Sequence, residues 1–259
     1  MALLGVPFDS TSSYRAGSRT APLEIRKELF ELEKEESFFE ISFCDLGNVD
    51  VVPGNTLETL RRVEETVDWI YSENPNVFLI TLGGEHTITH PIVKSMLKHK
   101  AGKPCVLNLD AHMDLKNDYM EEKWCHASVM RRISELGIGL SEIGVRSFLA
   151  DEKKYAEESR IAYCNKEGKK IDGILSKLKG RKVYLTLDFD VLSPEIASGV
   201  SNPEPNGLNV DELESIFNSL IQKSSVIAMD VVEVNPLYDK TSTTITAAKF
   251  VLDTITKKG

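Results

Sequence analysis

The chain of 259 residues predicts an α/β fold built on a mainly parallel sheet. Three observations carry that reading. Strand-like and helix-like segments alternate along the whole length. Several strand segments are nearly continuous apolar runs, as expected of parallel strands covered on both faces. The polar motifs follow directly after such runs, where open α/β sheets bind their ligands.

Taken in order, ALLGV at 2–6 reads as the first strand. Pro22 suits a first helical turn and opens a helix over 22–35. ISFCD at 41–45 is the next strand, and Thr56, with Glu58 behind it, caps a helix over 57–72. VFLITL at 77–82 leads to a helix over 87–99, and PCVLNLD at 104–110 to one over 126–137. SEIGVR at 141–146 precedes a helix over 151–158, and RIAYC at 160–164 precedes one over 169–179. KVYLTLD at 182–188 leads to a helix over 210–222, and SVIAMDVVE at 225–233 to a last helix over 242–257. No linker, low-complexity tract or repeat interrupts this pattern, so one domain is expected over 1–259.

A hydrophobic fraction of 41% with 27% charged residues is ordinary for a soluble globular chain. The net charge of −9 argues against nucleic acid or an anionic membrane as partner. No apolar run reaches the roughly 18 residues of a spanning helix, and MALLGVPFDS lacks the basic and long apolar regions of a signal peptide. Cys44, Cys105, Cys125 and Cys164 are widely spaced with no C-x-x-C. Reduced thiols in a cytoplasmic protein are therefore expected, rather than disulfides or a zinc ribbon.

The chemistry gathers in GGEH at 83–86, DAHMD at 110–114, DFD at 188–190 and EVNP at 233–236. Side chains two apart on an extended segment point the same way, so Asp110, His112 and Asp114 can converge, as can Asp188 and Asp190. Four carboxylates at strand ends cost several kcal/mol each to desolvate unless cations neutralise them. Two divalent metals supply that charge. A ligand set rich in carboxylate favours hard ions, manganese first, while imidazole also admits iron, cobalt or zinc. Such a centre lowers the pKa of water from about 15.7 toward roughly 7, which predicts hydrolysis. Of the five histidines, His86, His112 and His126 lie in or near these strand ends. His90 completes HTITH, but the glutamate of a helical zinc pair is missing, and His99 reads as structural. Cys125, beside His126, is rejected as a nucleophile because adjacent residues seldom face each other.

This motif set resembles the ureohydrolase family of arginase, agmatinase and relatives. The resemblance runs from GVPFDS at 5–10 and RAGSRTAPLEIR at 15–26 to MDVVEVNP at 229–236. It implies a three-layer α/β/α sandwich and a pair of Mn²⁺ ions. One would be held by His86, Asp110, Asp114 and Asp188, the other by Asp110, His112, Asp188 and Asp190. It further implies that Glu233 receives a guanidinium group and that His126 shuttles protons, with the leaving amine protonated near His126 or Asp114. A homo-oligomer, trimer or hexamer, is implied as well. Three departures stand out: Glu85 and Ser193 where aspartate is usual, and Ala127 where glycine is usual. At Ser193 a weakened hydrogen bond behind the metal ligands is expected.

Within that family HASVMRR resembles the agmatinase branch, and Asp118, Glu121 and Glu122 in the 115–125 segment favour a substrate with a second amine over one with an α-carboxylate. Agmatine is thus the expected substrate, a small cationic guanidino compound, giving putrescine and urea. Aminopropylagmatine, guanidinobutyrate, arginine and formimidoylglutamate are the alternatives within the family. A non-catalytic polyamine- or metal-binding relative and an arginase-like deacetylase stand outside that reaction.

Overall fold

The structure, a computed structural model, describes residues 1–34, 36–100, 102–239 and 242–258. Eight strands form one sheet: β1 (Ala2–Val6), β2 (Cys44–Asn48), β3 (Leu79–Gly83), β4 (Cys105–Leu109), β5 (Gly139–Ile143), β6 (Ala162–Cys164), β7 (Lys182–Asp188) and β8 (Ser225–Val232). Their order is β2-β1-β3-β8-β7-β4-β5-β6, and every neighbouring pair is parallel. The helices are α1 (Ala21–Glu31), α2 (Thr56–Glu73), α3 (Thr89–His99), α4 (Val129–Ser134), α5 (Ala150–Glu158), α6 (Gly168–Lys177), α7 (Val210–Lys223) and α8 (Ser242–Lys258).

The two faces of the sheet carry separate cores. Ile25 and Leu29 of α1, Ile174 of α6, Phe217 of α7 and Val251 of α8 cover one face. Val63 and Val67 of α2, Ile92 and Met96 of α3, and Met130 of α4 cover the other. The result is the expected three-layer α/β/α sandwich. Burial on both faces explains why β1, β3 and β4, buried at every residue, read as nearly continuous apolar runs broken only by Thr81 and Asn108.

Local chemistry sets the ends of the elements. Asn55, not Thr56, caps α2: its side chain accepts from Glu58 N at 3.1 Å, and Thr56 is the first helical residue. Helix α7 starts on a reciprocal box in which Asn209 accepts from Glu212 N at 2.8 Å and Glu212 accepts from Asn209 N at 2.9 Å. Strand β2 lies at 44–48 rather than 41–45. Ile41 and Phe43 pack against the core as loop residues, while the exposed edge strand is defined by its pairing to β1.

A polar row crosses the face covered by α2–α5. Thr81, Asp230, Thr186, Asn108 and Glu142 stand in register across β3, β8, β7, β4 and β5, and all five are fully buried. The row lies one same-face position before Asp110 and Asp188, directly beneath the motifs at the strand ends.

Candidate active site

Each motif follows its strand: GGEH follows β3, DAHMD follows β4, Asp188 closes β7, and Glu233 follows β8. Gly84 is dictated by a close backbone approach, since a Cβ there would sit 2.0 Å from the Phe8 carbonyl oxygen. That carbonyl accepts from Glu85 N at 2.7 Å, which locks the turn carrying His86. Asp114 (φ 50°) and Glu233 (φ 63°) both occupy the left-handed region. Such strain in a residue with a side chain costs about 1–3 kcal/mol and concentrates at functional sites.

All six predicted ligands come together. His86 Nδ1 lies 3.2 Å from Asp110 Oδ2, 3.3 Å from Asp114 Oδ2 and 3.3 Å from Asp188 Oδ2. His112 Nδ1 lies 2.9 Å from Asp190 Oδ2 and 3.7 Å from Asp110 Oδ1. His86 with Asp110 and Asp114, and Asp110 with His112 and Asp190, are two groups whose donor atoms could each hold a metal ion. Backbone amides aim three of the carboxylates. Asp110 Oδ1 accepts from His112 N at 2.6 Å, Asp188 Oδ1 from Asp190 N at 3.0 Å and Asp190 Oδ1 from Ala111 N at 3.0 Å. In each case the other oxygen lies within 3.3 Å of an imidazole nitrogen, and Asp110 Oδ1 also faces the His112 ring at 3.7 Å.

The donor set fits a cation. His86 Nε2 lies 2.9 Å from Thr186 Oγ1, whose single proton goes to Asp230 Oδ1 at 2.5 Å. Thr186 therefore accepts from Nε2–H, which leaves a lone pair on Nδ1. That Nδ1 is buried and has no hydrogen-bond partner among the described residues, yet it faces three carboxylate oxygens. Protons compete for the same donors. Burial, then Asp190 and Asp110, push Asp188 well above the usual carboxylate range. Burial and the charge of Asp110 push Asp114 up to about 6. His86 and His112 are raised by these same acids against the opposing effect of burial.

Glu233 and His126 border the same cavity of about 730 Å³, which Asp188 and Asp190 also line. Glu233 Oε1 accepts from His86 N at 2.7 Å, and burial raises its carboxyl to about 8. His126 opens a single tight turn, His126–Ser128, before α4, so the helix starts three residues later than predicted. Thr11 Oγ1 lies 3.4 Å from its Nδ1 and Ser13 Oγ lies 3.3 Å from its Nε2. Burial lowers His126 to about 4, so the ring is neutral near pH 7.

The site also draws on residues that no sequence motif marks: Thr11, Ser13 and Tyr14 in the loop after β1, and Thr186, Asp230, Arg146 and Glu204. Glu204 Oε1 lies 3.5 Å from His112 Nε2. The Arg146 guanidinium donates to the carbonyls of Gly144, Asp190 and Glu204 at 3.0, 2.7 and 2.9 Å, pinning three loops around the cluster. Glu204 lies in GVSNPEPNGL at 199–208, a polar segment downstream of DFD and the one signal in the sequence for it; the others look like ordinary loop or strand residues.

Asp118 lines the cavity, as does Asp151, but Glu121 and Glu122 do not; Glu122 instead accepts from Trp124 N at 2.9 Å. The Ser193 hydroxyl donates to Glu195 at the surface and not to a group behind the ligands. Glu85 is buried and accepts from Thr11 N at 2.8 Å and Thr87 Oγ1 at 2.7 Å. His90 stacks on Trp124 with ring centroids 4.8 Å apart, and His99 pairs with Asp68 at 3.2 Å. Cys125 is buried, with its thiol pushed up by that burial.

Sheet and cluster together define a class: a parallel α/β enzyme with a His/Asp group able to hold metal beyond its central strands. The model of the arginase family matches residues 1–256. The N(1)-aminopropylagmatine ureohydrolase of Thermococcus kodakarensis is 34% identical over 98% of this chain and 88% of that protein. The agmatinase of Bacillus anthracis is 34% identical over 97% of this chain and 89% of its own length. The solved structure of the agmatine ureohydrolase of Thermoplasma volcanium superposes with a TM-score of 0.87 at 31% identity, covering 99% of this chain and 89% of that one. The chain belongs to the arginase family. It is a ureohydrolase, acting on guanidino C–N bonds within a metal-dependent family.

Proposed function

We propose that the chain hydrolyses agmatine to putrescine and urea at a pair of divalent metals, manganese first. One observation carries the reading: six donor side chains converge, and four of them, His112, Asp114, Asp188 and Asp190, line one cavity together with a buried carboxylate, Glu233. His86, Asp110, Asp114 and Asp188 would hold one ion, and Asp110, His112, Asp188 and Asp190 the other, with Asp110 and Asp188 shared. Bound there, the pair would supply the charge that makes water a nucleophile near pH 7.

The remaining chemistry belongs to this chain. Glu233 receives the guanidinium, which stays protonated at any working pH and pairs with carboxylate as a planar fork. The arriving cation draws the raised Glu233 carboxyl into its ionised form. Adding water across the C–N bond releases an amine that needs a proton. Neutral His126 can take one from water and pass it on, while Thr11 and Ser13 hold its ring. Asp114, in the same cavity, supports the positive charge that develops on the amine.

Asp118, Asp151 and Glu204 line the cavity, with Lys116 as a single cation among them. That balance suits a substrate ending in an amine and disfavours one ending in an α-carboxylate. Aminopropylagmatine, which carries a further amine, is the second reading, favoured by the named Thermococcus relative and by the cavity of about 730 Å³. Four free thiols are in keeping with a reducing, cytoplasmic setting, and no helix among the described residues is long and apolar enough to cross a membrane. Urea release from agmatine, aminopropylagmatine, guanidinobutyrate and arginine on one manganese-loaded preparation tests the assignment. Preference for arginine overturns it, and metal analysis on the same sample reads the stoichiometry.

A further inference from the structure

A second cavity, of about 240 Å³, opens at the amino ends of β4, β5 and β6, the opposite end of the sheet from the His/Asp cluster. Arg160, Lys177 and Arg181 line it, together with Ser141 and Ser159 and no acidic side chain. The sequence has ten arginines. Among the described residues only Arg160 and Arg181 have side chains with no hydrogen bond, ion pair or aromatic partner, and both face this one cavity. The hydroxyls of Ser141 and Ser159 also have no protein partner. Arg181 reaches over the start of β5, its guanidinium nitrogens 3.6 Å from where a Gly139 Cβ would stand.

Helix ends account for part of this charge. Helices α4, α5 and α6 end at Ser134, Glu158 and Lys177, at or beside the cavity, and each carbonyl end is equivalent to about half a negative charge. Three cations exceed three half-charges by roughly one and a half. On a chain whose net charge is −9, a hollow open to solvent, rimmed by three exposed cations with that excess and by two free hydroxyl donors, matches a small dianion.

We propose that this cavity binds a phosphate group, gripped by Arg160 and Arg181 in their fork geometry, with Lys177, Ser141 and Ser159 completing the shell. The site is independent of the proposed reaction. The test is thermal and calorimetric titration of the metal-loaded protein with inorganic phosphate, against Arg160→Gln, Arg181→Gln and the double variant. Binding should saturate at one phosphate per chain with a rise in Tm. Each single change should weaken it roughly tenfold and the pair about a hundredfold, with kcat and KM for the guanidino substrate unchanged. Glycerol phosphate in a parallel arm separates the sources: tighter binding than inorganic phosphate marks a phosphorylated metabolite, and equal or weaker binding marks the free ion. Arg160→Lys with Arg181→Lys guards against misfolding, because it keeps the charge and should bind more tightly than the glutamine pair. Phosphate binding that is absent from the wild type, or undiminished in the glutamine pair, overturns the proposal. Phosphate that merely competes with substrate, and binds the double variant equally, belongs to the metal cluster and overturns it too.

Discussion

Replacing Thr186 by valine removes one hydroxyl at nearly constant volume and should loosen the metal centre from behind. Thr186 Oγ1 is the 2.9 Å partner of His86 Nε2 and donates to Asp230 at 2.5 Å. Asp230 keeps two donors on its other oxygen, Thr89 Oγ1 at 2.8 Å and Tyr184 OH at 2.7 Å, while Oδ1 loses its partner, a cost that falls on folding and is shared by stripped and metal-loaded protein. His86 is fully buried, and its Nε2–H would be left without an acceptor. A buried donor left unmade costs about 1–3 kcal/mol. The proton can escape that cost by moving to Nδ1, the atom that has to present a lone pair. Loss of a partner behind a metal ligand typically weakens metal binding by roughly 10–100-fold, which agrees with that energy. Calorimetric titration of stripped protein with Mn²⁺ measures it directly. Thr186→Ser keeps the hydroxyl and should bind metal close to wild-type affinity. If valine and serine variants bind Mn²⁺ as tightly as wild type, the relay from Asp230 through Thr186 to His86 has no role in setting the ligand.

Three further outcomes are expected. Asp190→Ala should cut urea release roughly a thousandfold or more and lower the metal content, because it removes a donor 2.9 Å from His112; elemental analysis with a urea assay checks both. Glu233→Gln keeps an oxygen to accept from His86 N but loses the charge that pairs with guanidinium, so kcat/KM should fall about a hundredfold or more while metal content stays level. His90 is held neutral by burial, its pKa lowered from 6.5 to about 4. The unfolded chain therefore binds the extra proton in that window, and stability drops as pH falls from 6.5 toward 4, by about 2 kcal/mol at pH 5. His90→Phe preserves the stacking on Trp124 and should remove that component, so denaturant melts at pH 8 and pH 5 should differ less than in wild type.

The fold was legible because its strands are buried on both faces, and continuous apolar runs bracketed by turns leave few other readings. The convergence of candidate donors was legible for a related reason: Asp110, His112, Asp114, Asp188 and Asp190 alternate immediately beyond such runs, where solvated turn residues would show no period. Three kinds of feature stayed hidden. Strand β2 is an exposed edge held by backbone pairing, so its apolar neighbours Ile41 and Phe43 drew the prediction three residues early. The start of α4 is reshaped by the tight turn that swings His126 toward Thr11 and Ser13, a tertiary contact with a distant loop. Thr186, Asn108 and Glu142 lie inside strands as isolated polar residues; only the register of five strands reveals them as one row.

Because every strand pair is parallel, no neighbours in the sheet can form as a simple hairpin, and each must wait for a crossover to close. His86 and Thr186 are 100 residues apart in the chain, yet they touch. A chelating ion therefore finds its donors assembled only after β3, β8, β7 and β4 have come side by side, late in folding. Such an ion cannot nucleate the molecule, but it can clasp the finished one. Stripping the metal should hasten unfolding far more than it slows refolding, as expected of an ion that would lock the middle of the sheet kinetically.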